Sequence, residues 1–404
     1  MRPTPTVLTL LLATVSCTHG ASVSAPASPR VHLVADGHID VPYRLREKLS
    51  PEGRPTEDIS QRTAGGDFDY PRAVAGGLGL AFMSIYVPAE LQDTPGAARK
   101  LADELIDMME GIVRASPDKF ALARSVTDVR RDQVPGRVFF TFGIENGAAL
   151  EDSLENVAHF HQRGVRYITL AHSKDNLLSD SSYATDAHRW NGLSPLGRQV
   201  VAEMNRVGIM VDVAHLSDEA ILQAVETSRV PVIASHSSCR HFTPGFQRNL
   251  SDALIRAVAA KGGVVMINFG SDFLTPAANA YGQQLNKTLR PIAEQRGLKA
   301  GSPELLALLE EYRREHPFPL ARVEDVADHI EHVVKLVGID HVGFGSDFDG
   351  VGPTLPVGLQ DVSQYPNLLR VLRERGYTEA DLEKVASGNV FRVWKDVEAH
   401  AARR

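Results

Sequence analysis

The chain has 404 residues, 43% hydrophobic and 23% charged, an ordinary globular composition with ample material for a large core. Its formal net charge is −7 and no basic stripe interleaved with aromatics runs along it, which argues against nucleic acid as a partner.

In chain order, the first feature is "MRPTPTVLTLLLATVSC": Arg2, a short apolar run from Val7 to Val15, then small residues before Cys17. The run is too short to span a bilayer and reads as the apolar region of a signal peptide over residues 1–16. "TVSC" resembles a bacterial lipobox, with Thr14 where Leu is usual, so Cys17 is an expected lipid anchor and mature N-terminus. Ordinary cleavage near Ala21 or Ala25 is the rival. The expected location is the bacterial cell envelope. Residues 17–30, rich in Ala, Ser and Pro, read as a flexible tether to a single domain over 31–400. Cys239 is the other cysteine, so loss or lipidation of Cys17 leaves no intrachain disulfide.

Eight apolar runs follow: 31–40, 80–87, 138–145, 167–172, 209–215, 231–236, 264–269 and 341–348. Amphipathic segments at 99–115, 196–208 and 217–228 lie between them, the last with Ser217 as N-cap and Ala220 opening the helix. Apolar strands alternating with helices predict a parallel sheet covered by helices. Eight units predict an α/β fold of the (β/α)8 TIM-barrel type; an open doubly wound sheet is the alternative, weakened by the missing dinucleotide fingerprint. Two long excursions, 41–79 and 270–340, are expected over the barrel mouth as lids, the second with helices at 303–315 and 323–337.

Polar residues collect where the runs end. His38 and Asp40 close the first, Glu145 the third, His172 the fourth, His215 the fifth, His236 the sixth and Asp347 the eighth. In a barrel those ends open on one face, where active sites are built. Asp36, His38 and Asp40 recur at period two, so they are expected on one strand face, His38 and Asp40 about 6–7 Å apart along it. These two could share one cation. His215 and His236, from neighbouring strands, could hold a second, and Glu145, from the opposite part of the ring, could bridge the pair. Asp36 is expected to support a ligand. Imidazole and carboxylate without thiolate suit Zn²⁺, and Mn²⁺, Co²⁺ or Fe²⁺ fit the same donors. Two such ions about 3.5–4 Å apart would hold and deprotonate a water.

The segments "DGHID", "GIEN", "VDVAHLSD", "PVIASHSS", "RNLSD" and "GFGSDFDG", in this order, resemble the membrane dipeptidase family, peptidase family M19, over residues 31 to 397. The resemblance implies a metal-dependent, amidohydrolase-like barrel with two Zn²⁺ that hydrolyses dipeptides, L,L and often L,D. It assigns His38 and Asp40 to one zinc, His215 and His236 to the other, and Glu145 to the bridge. His172 would contact the substrate at the scissile carbonyl, Arg248 its anionic end, and Asp347 would shuttle the proton. A homodimer is an expected assembly. There are departures: "SKDNLLSDSSY" follows His172 where mammalian members are Asn-rich, Ile39 stands where Asn is common, and "AHAARR" at the C-terminus has no apolar tail for an anchor.

Two rivals stay open at this stage. One is a binuclear barrel hydrolase acting on a lactone, cyclic amide or phosphotriester, which would not require Arg248. The other is a lipoprotein that binds metal or peptide without catalysis. His329 and His332, three apart on an expected helix, are expected on a solvated or lid-facing surface rather than as ligands, and His159 and His161, two apart on a helix, are expected to face different directions.

Overall fold

Among the described residues nine strands, all paired in parallel, organise the protein: β1 (Val34–Ile39), β2 (Leu78–Tyr86), β3 (Phe120–Leu122), β4 (Val138–Glu145), β5 (Val165–Thr169), β6 (Met210–Asp212), β7 (Ile233–Ala234), β8 (Val264–Ile267) and β9 (Val342–Phe344). The computed structural model describes residues 32–131, 136–184, 187–298 and 302–403. The expected signal peptide, Cys17 and the tether lie outside the described residues. The strands run in the order β2-β1-β9-β8-β7-β6-β5-β4, and β4 pairs back onto β2 from Leu80↔Phe139 to Tyr86↔Glu145, closing an eight-stranded ring. The open-sheet alternative is thereby removed. All eight expected runs supply a ring strand; β3, which pairs only with the start of β4, was not foreseen.

The strands read as continuous apolar runs because both of their faces are buried. Alternate residues, among them Ala35, Phe82, Tyr167 and Met266, fill the barrel interior, and Phe391 and Trp394 of the C-terminal helix Asn389–Ala401 belong to the same packed cluster. The other faces pack on the surrounding helices. The helix Ala97–Ala115 turns Ala98, Ala102, Leu105, Ile106 and Met109 inward at helical spacing. The helix Pro195–Val207 starts at Ser194, whose Oγ accepts from Gly197 N at 2.9 Å, and ends at Gly208 with φ 95°. Ser217 caps the helix Asp218–Thr227 by accepting from Ala220 N at 3.2 Å, so the cap is as expected and the helix opens at Asp218 rather than Ala220.

The excursions differ in role. Tyr43, Arg44 and Glu47 of the first, and Asp272 and Phe273 of the second, line the cavity at the barrel mouth. The helix Val323–Val337 does not: it buries Val326, Ile330 and Val333 in the outer core as an ordinary barrel helix. The helix Pro303–Glu315 buries no residue, and the helix Pro276–Arg296 before it was not foreseen.

One strand contact links the core to the barrel mouth. Gly143 of β4 is the cross-strand partner of Tyr167, and a Cβ there would stand 1.9 Å from Tyr167 Cζ. The Tyr167 ring fits inside the barrel because β4 offers no side chain at that point. Gly143→Ala is therefore expected to cost about 1–3 kcal/mol of unfolding free energy by overpacking, measured by chemical denaturation.

Candidate metal centre

The C-terminal strand ends bring the expected residues together. His38 Nε2 lies 3.3 Å from Asp40 Oδ2, 3.5 Å from Glu145 Oε2 and 3.9 Å from Asp347 Oδ1. On the other side of the same carboxylate, Glu145 Oε1 lies 3.0 Å from His215 Nε2, 3.4 Å from His236 Nε2 and 3.5 Å from His172 Nε2. Glu145 does not come from the opposite part of the ring, contrary to the sequence expectation. In the ring, β4 sits two strands from β1 and two from β6, which lets one side chain reach both groups.

Asp36 does not share a face with His38. The β1 register shifts between Asp36 and Ile39, so the two side chains part. Asp36 turns outward to the Tyr365 hydroxyl, while its Oδ1 accepts from the backbone N–H of His38 at 2.9 Å and of Ser346 at 3.0 Å. His38 turns into the barrel, where its Nδ1 pairs with the Tyr167 hydroxyl at 2.8 Å. Asp36 supports the backbone of a candidate ligand, not its ring.

A second buried carboxylate, Asp212, does for β6 what Asp36 does for β1. Its Oδ1 accepts from Ala214 N at 3.1 Å and Ser235 N at 2.8 Å, and its Oδ2 from Ser235 Oγ at 2.6 Å and from the Thr169 hydroxyl. Ser235 Oγ then lies 2.7 Å from His236 Nδ1. With the serine proton committed to Asp212, His236 donates from Nδ1, which leaves its Nε2 lone pair facing Glu145. Sequence reading missed Tyr167, Asp212 and Ser235; the available signal was a carboxylate inside an apolar run, "MVDVAH".

Two site residues leave the sheet in the left-handed backbone region, His215 at φ 67° and Asp347 at φ 63°, conformations that β-strands do not continue through. Asp347 is steadied by Asn268 Nδ2, 2.7 Å from its Oδ2. A Cβ on Gly350 would lie 2.3 Å from both Asp347 Oδ1 and Asp40 Oδ2, so this position must be bare for the two carboxylates to face each other.

The electrostatics suit a cation. His215 and His236 bring their Nε2 atoms within 2.8 Å of each other, which requires a proton or a metal between two lone pairs. Burial, reinforced by Arg248 and neighbouring imidazoles, holds both well below the usual histidine range, making a proton a poor occupant. Burial pushes Asp347 well up, with Asp40 adding to it. Burial would also raise Glu145, but the imidazoles around it prevail and hold it well below the usual range. His38 Nε2 has no hydrogen-bond partner among the described residues. Donor atoms of three overlapping sets, His38/Asp40/Asp347, His38/Glu145/His236 and Glu145/His172/His215, lie within 4.8 Å of one another. This all-N/O donor set fits divalent transition metals.

Beside these groups opens a cavity of about 730 Å³. Arg248 reaches it 2% exposed, donating to Ser237 Oγ at 2.8 Å and His236 O at 2.9 Å, with Nε unpartnered among the described residues. His172 lines it too, packed edge-on to Tyr86 at 4.9 Å. Residues 29–404 match the family described as membrane dipeptidase (peptidase family M19). The chain belongs to the membrane dipeptidase family. A dipeptidase of Claviceps purpurea, tcpJ, is 34% identical over 377 residues, covering 91% of this chain and 77% of that protein. The crystal structure of the probable dipeptidase PvdM from Pseudomonas aeruginosa superposes with a TM-score of 0.77 at 29% identity, over 92% of this chain and 96% of that one. A metallopeptidase from Rhodobacter sphaeroides, crystallised with a phosphinate mimic of L-Ala-D-Ala, gives 0.71 at 25% identity, over 91% and 99%.

The histidines set aside in the sequence lie elsewhere. His329 is buried, accepting from Cys239 N at 3.0 Å on Nδ1 and pairing with Leu274 O at 3.0 Å on Nε2. This is a core role, not the solvated or lid-facing one expected. His159 pairs with Asp103 at 2.9 Å. Cys239 is buried and free.

Tyr167→Phe removes the partner of His38 Nδ1 while keeping the ring that fills the barrel. Metal affinity is expected to fall roughly 10–100-fold, by chelator competition, with the circular dichroism spectrum unchanged.

Proposed function

We propose that this chain is a zinc-dependent dipeptidase, acting on dipeptides with a free C-terminal carboxylate in both L,L and L,D forms. The observation that carries the reading is the buried Glu145, one oxygen toward His38 and the other toward His215 and His236, at the edge of a cavity that also holds Arg248. His38 with Asp40, and His215 with His236, would each hold one ion of a pair bridged by Glu145. Bound there, two divalent cations would make water nucleophilic near neutral pH and polarise the scissile carbonyl. His172 stands to donate to the oxygen that gains charge as the carbonyl becomes tetrahedral. Asp347, its carboxyl pushed up by burial and by Asp40, is suited to carry the proton to the leaving amine. The Arg248 fork, with N–H capacity left over, suits the substrate carboxylate. The exported, envelope-associated location and the lipid anchor at Cys17 belong to the same proposal and rest on the leader sequence.

The test is release of amino acids from L-Ala-L-Ala and L-Ala-D-Ala by metal-loaded protein, with the dipeptide amide as control. Chelation is expected to abolish turnover and zinc to restore it; turnover that persists in metal-free protein overturns the mechanism. The amide is expected to react at least about tenfold more slowly, a gap that Arg248→Ala narrows. If Arg248→Ala leaves dipeptide turnover intact, a hydrolase of neutral substrates becomes the better reading.

A further inference from the structure

Three carboxylates that line the cavity, Glu47, Asp272 and Asp349, take no part in the proposed reaction. Asp40, Glu145 and Asp347 belong to the candidate metal centre. Asp349 is engaged by Arg44 NH1 at 3.0 Å and by Asp67 N at 2.7 Å. Glu47 sits on the exposed rim. Asp272 remains: it lines the cavity, half-buried, and among the described residues no other side chain donates a hydrogen bond to its carboxylate.

Its position is fixed relative to Arg248. Asp272 is the second residue of the short helix Ser271–Leu274. Asn249, the residue after Arg248, donates from Nδ2 to Phe273 O at 2.8 Å, tying the two segments together. The Arg248 guanidinium rests over the Phe273 ring, 5.4 Å from its centroid. Arg248 and Asp272 therefore stand near each other on one wall, close enough for the Arg248 charge to act on the carboxylate but not hydrogen-bonded to it, since the guanidinium donates to Ser237 and His236 instead. The other arginine of the cavity, Arg44, is committed to Asp349 and to Glu57, 3.6 Å away. Burial raises the Asp272 carboxyl above its usual range, and its own backbone N–H and the Arg248 charge offset this only in part.

We propose that Asp272 is a specificity-determining residue that selects dipeptides whose C-terminal residue carries a cationic side chain. The inference rests on the dipeptidase reading. Arg248 takes the carboxylate of the C-terminal residue, and Asp272, next to it on the same wall, meets the ammonium or guanidinium of that residue's side chain. The substrate completes two half-pairs that the protein leaves apart. The aromatic faces of Phe273 and of Tyr183, which also lines the cavity, flank the aliphatic stem of such a side chain.

The experiment compares Ala-Lys, Ala-Met and Ala-Glu, each with an L or D C-terminal residue, on zinc-loaded wild type, Asp272→Asn and Asp272→Lys. Wild type is expected to favour Ala-Lys over Ala-Met in kcat/KM by about tenfold or more. Asp272→Asn brings that ratio close to one, and Asp272→Lys shifts the preference to Ala-Glu. A ratio cancels any general loss of activity, so a merely structural role for Asp272 would leave it where it was. A wild type indifferent to Lys against Met, or a ratio untouched by Asp272→Asn, overturns the proposal while leaving the dipeptidase reading intact. If wild type cleaves none of the three, the dipeptidase reading falls and this one with it.

Discussion

Four imidazoles and three carboxylates, nearly all of them buried, meet at the barrel mouth, and Glu145 stands at their centre. Nitrogens from His172, His215 and His236 lie within 3.5 Å of one of its oxygens, and His38 is at the same distance from the other. Such a cluster is unfavourable unless positive charge is shared among its members. Between His215 and His236 a proton serves badly, because burial holds both well below their usual range. Divalent cations meet the demand. Much of the surrounding architecture can be read as what is needed to hold these groups in place.

The holding is done largely by backbone. Asp36 and Asp212 occupy equivalent stations, each inside a strand and each accepting N–H groups from its own strand end and from the next strand: Ser346 for one, Ser235 for the other. They fix the chain exit that carries His38 and the one that carries His215. Tyr167 and Ser235 then set the rings of His38 and His236 through their Nδ1 atoms. Two bare positions complete the arrangement. Gly143 makes room for Tyr167, and Gly350 lets Asp40 and Asp347 face each other.

The ring and the convergence of its ends were legible because the signals are long-range and repetitive. Eight apolar runs alternate with amphipathic helices, and six of them end in His, Asp or Glu. What failed to show was local. A three-residue strand such as Phe120–Leu122 is too short to carry a period. The shared face inferred for Asp36 and His38 assumed an unbroken pleat, and a register shift inside "VADGHI" separates them. The partners of the candidate ligands were invisible for another reason: Tyr167 and Ser235 look like any other buried strand residue until the neighbouring strand is in place. His329 likewise reads as a surface histidine until the backbone of Cys239 and Leu274 is brought to its two nitrogens.

β1 is hydrogen-bonded on one side to β9, the last strand of the chain, so the circle is sealed by its two extremes. His38 and Asp347, which approach to 3.9 Å, therefore meet only once nearly the whole polypeptide is available. The half of the centre built on His38, Asp40 and Asp347 thus waits for the final strand to dock, whereas Glu145, His172 and His215 come from three consecutive ring strands, β4, β5 and β6.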